Sequence, residues 1–315
     1  MKVCIGKNIE SGSWGGGNSF VKALKDYLLS KSIDVVHDLT DQNIDVIIII
    51  DPRPQKEYSS ISIKEIRKYK KTINSSVKIL QRVNECDERK NTSNINFKLK
   101  SCHDLSDKTV FISNYLKKLF DTKGWNICKS LVIKNGSDNS IFNSQSGIDW
   151  KRNEQMKLVT HHWSSHYNKG FDVYKHIDEM LDETEWKSVF GLTYIGNLPK
   201  GFKFKNVIHQ KPRSSYALSV ELQQHHVYLS ASINEPAGMH HIEGALCGLP
   251  IIYRNSGALP EYCAGYGEEF SGPNDIKSAI ERMIVNYDQH KQNNAFYSNT
   301  SVKMCEKYLE CIESM

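Results

Sequence analysis

Residues Val46-Ile47-Ile48-Ile49-Ile50 form an unbroken β-branched run fenced by Asp45 and Asp51. The run is far too short for a bilayer-spanning helix, which needs roughly 20 apolar residues. A half-exposed strand alternates apolar and polar residues, whereas an uninterrupted run predicts a strand buried on both faces. That is the pattern of a parallel sheet covered by helices. The surrounding sequence supplies such a sheet. Val3-Cys4-Ile5, Ile33–Val36, Val77–Leu80, Thr109–Ile112 and Leu131–Ile133 read as further strands, with helical periodicity near 18–29, 61–71 and 113–122. This is βαβ alternation.

A polar stretch, Asn143-Ser144-Gln145-Ser146-Gly147, interrupts the pattern and predicts a linker. The alternation then restarts. Strands are expected at Met156–Thr160, Leu192–Ile195, Asn206–His209, Val227–Leu229 and Ile251-Ile252, with helices near 170–181, 214–223, 238–247, 274–287 and 295–313. At 315 residues the chain exceeds the usual size of one core. The expected organisation is an N-terminal domain over 1–145, a second over 150–290, and a C-terminal helix over 291–315 packing back across both. Each half reads as a doubly wound α/β unit, so ligands are expected at strand carboxyl ends, in a crevice between the domains.

Composition narrows the class. With 39% hydrophobic residues the chain is not disordered. Lys7 ends any apolar stretch after Met1, so no secretory leader is expected. The 8 cysteines contain no CxxC pair, which in a chain this long reads as reduced thiols in a cytoplasm. Residues 1–150 carry 24 basic and 17 acidic side chains, against 17 and 19 for the rest. Within the first half, 51–100 holds 13 basic and 6 acidic residues. Lys64, Arg67, Lys68, Lys70 and Lys71 read either as a solvated helix face or as a contact for an anionic ligand or membrane surface. Tyr58 and Tyr69 are too few interleaved aromatics for a nucleic-acid platform.

Two motifs bear on chemistry. Gly15-Gly16-Gly17 follows the first strand and opens a helix, which suits either a plain turn or a phosphate pressed against backbone N–H groups. A dinucleotide fingerprint needs a further Gly where Phe20 stands, although Asp38 fits its acidic position. The second motif is Asn234-Glu235-Pro236-Ala237-Gly238-Met239-His240-His241-Ile242-Glu243-Gly244-Ala245, directly after a buried strand. Pro236 and Gly238 suit a loop entering a helix. Glu235 then lies in the loop and Glu243 about a turn and a half inside the helix, both facing the strand-end crevice. Free N–H groups near Gly238 and Met239 make an anion site between them. The histidine pairs at 161–162, 225–226 and 240–241, and the spacing of His162 and His166, match no metalloprotease pattern. They are expected to be polar pocket or surface residues, with no metal.

Glu235 and Glu243 resemble the E-x7-E motif of the retaining GT-B glycosyltransferases of the glycosyltransferase 4 group. Other stations agree in order: Gly15-Gly16-Gly17, Phe111-Ile112-Ser113, Val132-Ile133-Lys134-Asn135-Gly136-Ser137-Asp138, Lys169-Gly170 with Asp172, Glu243-Gly244-Ala245 through Gly248 and Pro250, and Asn255-Ser256-Gly257 with Pro260-Glu261. The resemblance spans nearly the whole chain. It implies a GT-B fold of two facing Rossmann-like domains with a C-terminal helix pair. It also implies transfer of a sugar, with retention, from a nucleotide-sugar donor to a glycan, lipid-linked or other acceptor, without a metal or other cofactor. By the same resemblance Glu243 binds the ribose hydroxyls, Glu235 contacts the donor sugar, Lys169 clamps the diphosphate, and Gly16 and Gly17 press on the phosphates.

Two departures from the family pattern stand out. Ser164 occupies a position where the family commonly has Arg, so one cation of the clamp is missing, and His162 or His166 is the candidate replacement. The first domain also lacks the His expected beside the sugar. Arg82, Asn84 and Glu85 stand in that region as acceptor-side candidates. Two rivals remain: a non-catalytic nucleotide- or glycan-binding protein, and an NAD-dependent enzyme resting on Gly15, Gly17 and Asp38. The expected location is cytoplasmic, with peripheral contact at a membrane surface.

Overall fold

The computed structural model describes residues 1–10, 15–53, 59–213 and 215–315. Tyr58 and the first residue of the expected 214–223 helix lie outside them. The chain divides into two units, one of Met1–Gly136 with Ser301–Met315 and the other of Ser137–Thr300. The polar stretch 143–147 lies inside the second.

The first unit runs β1 (Lys2–Ile5), α1 (Gly16–Ser30), β2 (Asp34–Val36), β3 (Val46–Ile49), α2 (Ile63–Thr72), β4 (Lys78–Val83), α3 (Ile95–Leu105), β5 (Lys108–Phe111), α4 (Asn114–Thr122) and β6 (Ser130–Val132). Its six strands are all parallel, in the order β2-β1-β3-β4-β5-β6. The unbroken run is explained by its two faces. Val46, Ile48 and Ile50 enter one core with Phe20, Val21, Leu24 and Leu28 of α1. Ile47 and Ile49 enter another with Ile66 and Tyr69 of α2. Alternate residues of a strand point to opposite faces, so a sheet clothed on both sides calls for apolar residues at every position.

On α2 a capping box between Ser62 and Glu65 fixes the N-terminus. Ile66 and Tyr69 turn inward, while Lys64, Arg67, Lys68 and Lys71 are exposed. Lys70 pairs with Asp107 at 3.3 Å. This is an amphipathic helix with an exposed basic face.

The second unit runs β7 (Met156–His162), α5 (Phe171–Met180), α6 (Thr184–Val189), β8 (Phe190–Gly196), β9 (Ile208–Gln210), α7 (Ser215–Leu222), β10 (Val227–Ser230), α8 (His240–Leu246), β11 (Ile251–Arg254), α9 (Leu259–Cys263), β12 (Gly267–Phe270) and α10 (Ile276–Asn294). Its strands are also all parallel, in the order β12-β11-β10-β7-β8-β9. α11 (Ser301–Glu313) then rejoins the first unit. Met304, Cys305, Tyr308, Cys311 and Ile312 complete the core around α1, and the Tyr308 ring meets Phe20 edge-on at 5.0 Å.

Three differences from the sequence expectation matter. α3, α6, α9 and β12 were not anticipated. α8 begins at His240, so Glu243 lies in its first turn and not a turn and a half inside. All six paired histidines are buried, so none is a surface residue. Among the described residues no helix is long and apolar enough to cross a membrane.

Candidate active site

In the second unit the chain leaves β7 toward β8 and β9, then returns to β10 on the opposite side of β7. Ligands of doubly wound sheets sit where the strand order reverses, beyond the carboxyl ends. Lys169, Glu235, Gly238, Met239 and Glu243 all lie in segments that follow β7 or β10.

Lys169 arrives there because of the residue after it. Gly170 caps α5 with φ +101, and a Cβ on it would lie 2.4 Å from the Ala231 Cβ. Glycine therefore lets the start of α5 press against the end of β10. Lys169 Nζ then donates to Glu235 Oε2 at 2.6 Å, with the two side chains 10% and 2% exposed. The Glu235 backbone is gripped from the loop after β11. Its carbonyl accepts the Ala258 N–H at 2.7 Å, and Asn234 N–H donates to Ser256 Oγ at 2.8 Å. Gly257, at φ +64, approaches so closely that a Cβ would sit 2.4 Å from Glu235 N and O. This accounts for the Asn255-Ser256-Gly257 turn. Glu235 is thus a buried, ion-paired carboxylate.

Glu243 is reached from the other face of the sheet. Along β7, Met156 and Leu158 enter the core beneath α5, and His162 follows them, with Nε2 2.9 Å from the Tyr174 hydroxyl. His161 points to the opposite face. There its Nε2 lies 2.8 Å from Glu243 Oε2, and its Nδ1 lies 3.1 Å from the Tyr228 hydroxyl. Ser137 Oγ stands 3.5 Å from Glu243 Oε1. α8 comes this close because Gly244 has no side chain: a Cβ would lie 2.4 Å from the Tyr228 ring.

His240 opens α8, between the two glutamates in sequence. Its Nε2 meets Ser230 Oγ at 2.9 Å, and its ring lies 4.7 Å from that of His162. Burial, reinforced by His162, His241 and Lys169, holds His240 well below the usual imidazole range, so it is neutral. Gly238 sits against it, since a Cβ there would lie 2.5 Å from His240 Nδ1 and 3.2 Å from Glu235 Oε1. Met239, the N-cap of α8, is buried.

The position of the missing guanidinium is built differently. Ser164 Oγ accepts the His166 N–H at 3.3 Å, and His166 Nδ1 accepts the Asn168 N–H at 3.3 Å, which caps a single turn. His162 is turned into the α5 face. Among the described residues no group of three or more His, Cys, Asp or Glu is arranged to hold a metal ion.

In the first unit the candidates do not form one cluster. Gly16 and Gly17 open α1, and a Cβ on Gly17 would meet nothing within 4 Å among the described residues. Asp38 is bound up in its own turn, accepting from Thr40 N–H at 3.0 Å and hydroxyl at 2.6 Å. Arg82 is 2% exposed inside β4, stacked 4.0 Å over the Phe20 ring and donating to Asn135 Oδ1 at 2.9 Å. It is a core residue. Glu85 is buried and pairs with Arg89 at 3.2 Å and Lys90 at 3.5 Å, and Asn84 is half-buried beside it. Sequence reasoning missed His161 and Tyr228 as members of the site. The available signal was His161's place at the carboxyl end of the unit's first strand.

No protein-family model matches the chain, and no curated protein matches it. Solved structures do. HepE from Anabaena, solved in complex with UDP-glucose, superposes with a TM-score of 0.74 at 12% identity, covering 100% of both chains. The lipopolysaccharide outer core galactosyltransferase WaaB gives 0.71 at 14%, covering 100% of this chain and 99% of its own. Sucrose-phosphate synthase from Thermosynechococcus elongatus gives 0.68 at 12%, again over 100% and 99%. The fold is GT-B. Each six-stranded unit is one Rossmann-like half of that GT-B architecture.

Proposed function

We propose that this GT-B chain is a glycosyltransferase of the glycosyltransferase 4 type, moving a sugar from a nucleotide-sugar donor with retention. The observation that carries the reading is the convergence of Lys169, Glu235 and Glu243 at the β7/β10 reversal. Lys169 meets Glu235 directly, and Glu243 is held by His161 from the end of β7. The reaction releases a nucleoside diphosphate, so charge must be neutralised as the glycosidic bond breaks. Lys169 is the cation in place, and backbone N–H groups near Gly238 and Met239 complement it, without a metal. Glu235 holds the sugar hydroxyls and steadies positive charge developing at the anomeric carbon. Glu243 grips the ribose. Gly16 and Gly17 are the proposed phosphate contacts of the first unit. UDP-glucose, the ligand of the HepE structure, is a reasonable first donor to test.

A second reading, a binding protein that performs no transfer, draws on Ser164 and on Lys169 already being neutralised by Glu235. Incubation with UDP-, GDP- and ADP-sugars separates the two. Release of nucleoside diphosphate, with an unchanged anomeric configuration seen by NMR, is the expected result. A thermal shift with donor but no turnover in any acceptor mixture supports the binding protein. Neither shift nor turnover removes both.

A further inference from the structure

His161, Tyr228 and Glu243 form a directed chain, and its direction can be read from hydrogen-bond chemistry. The Tyr228 hydroxyl accepts the backbone N–H of His161 at 3.1 Å. It has one proton left to give. Of the two acceptors on His161, Nδ1 is the nearer at 3.1 Å and the carbonyl the farther at 3.5 Å. Burial raises the Tyr228 phenol well above its ordinary range, so that proton stays on the oxygen. An imidazole that accepts at Nδ1 carries its own proton on Nε2. Nε2 points at Glu243 Oε2, 2.8 Å away. The chain therefore runs from the Tyr228 hydroxyl to the His161 ring to the Glu243 carboxylate. Oε2 is held firmly, while Oε1 has the Ser137 hydroxyl at 3.5 Å, the outer limit of a hydrogen bond.

We propose that His161, aligned by Tyr228, is the positioning residue that presents the Glu243 carboxylate to the ribose hydroxyls, and so sets selection of a ribonucleotide over a deoxyribonucleotide donor. The inference rests on the donor reading given above. A carboxylate held through one oxygen is restrained from turning away, and its second oxygen exchanges a long contact with Ser137 for a short one with a sugar hydroxyl. Selection follows because a site built around such an acceptor loses a charge-assisted hydrogen bond when the hydroxyl is missing. Gly244 belongs to the same device, since its missing side chain lets α8 close on the Tyr228 ring.

The test is calorimetric binding of UDP, GDP and ADP to the parent, followed by the 2′-deoxy and 3′-deoxy forms of whichever binds. The parent should prefer the ribonucleotide over at least one deoxy form by about tenfold or more, the scale of one hydrogen bond to a charged group. In His161→Phe that preference should collapse toward unity, with affinity for the deoxy form little changed. His161→Gln, whose amide can still donate to Glu243, should keep most of it. Tyr228→Phe, which keeps the ring packed on Gly244, should lose part of it and serves if His161→Phe does not fold. Preference intact in both folded His161→Phe and Tyr228→Phe overturns the inference while leaving the donor reading standing. A parent that binds none of the three diphosphates overturns the donor reading and this inference with it.

Discussion

Lys169 and Glu235, 66 residues apart in sequence, meet at 2.6 Å with both side chains almost out of water. Removing one partner of a buried pair leaves the other charged and desolvated. Lys169→Met should therefore destabilise the fold by about 3–5 kcal/mol, and Lys169→Met/Glu235→Gln should recover much of that. Denaturant melts of the single and double variants measure it. A double variant no more stable than Lys169→Met would show that the ion pair is not the cause.

The two glutamates should separate kinetically. In the proposed reaction Glu243 grips a ribose that does not change, so Glu243→Gln should raise donor KM and leave kcat nearly as it was. The same proposal puts Glu235 where charge develops, and Glu235→Gln should then lower kcat by about 100-fold. Steady-state kinetics on variants that melt close to the parent decide the matter. Intact transfer in both would remove the role assigned to the E-x7-E pair.

Gly244 offers a purely steric test. A Cβ there would lie 2.4 Å from the Tyr228 ring, so Gly244→Ala must push α8 off the sheet. Overpacking of this kind costs about 1–3 kcal/mol. Because the same shift withdraws Glu243 from His161, nucleoside diphosphate affinity should fall together with the melting temperature. Gly265→Ala, at φ +87 with no atom within 4 Å of the added Cβ, is the control: backbone strain without that contact.

Acid should loosen the second unit before its carboxylates are all protonated. His226 Nδ1 accepts the Lys157 N–H at 3.0 Å, and burial lowers its pKa from 6.5 to about 4. The unfolded chain binds a proton there below about 6.5 while the folded chain does not. Stability is thus full above that value and is lost as pH falls toward about 4, at about 1.4 kcal/mol per pH unit for this one group. His226→Asn keeps an acceptor near Nδ1 and cannot titrate. Its stability–pH curve, from melts between pH 4 and 7, should be flatter than the parent's by about that slope. Parallel curves would count against it.

What could be read from sequence, and what could not, follows physical lines. The strand around Ile47 was legible because both its faces are buried and every position must be apolar. α3 was not, since Ile95, Phe97 and Leu99 alternate with polar residues in strand fashion, yet Phe97 is exposed in a helix. β12 hid because two of its residues are glutamates, with Glu268 held by Arg282, Asn286 and His290 of α10. Glu235 and Glu243 were found through their spacing. The partner of Glu243 was not, because His161 lies 82 residues away and only strand order brings it near. Arg82 misled in the opposite sense. A charged residue after an apolar run reads as exposed, but here the Phe20 ring and Asn135 keep it in the core.

The return of α11 to the first unit has a consequence for how the protein is made. Phe20, Leu24 and Leu28 leave the ribosome long before the side chains that cover them, Met304, Tyr308 and Ile312 among them. The N-terminal sheet must wait with one greasy flank bare until the whole second unit and α11 have been made. A nonsense codon just before Ser301 would spare the whole second unit yet leave that flank open for good, turning a foldable chain into a client for chaperones and proteases.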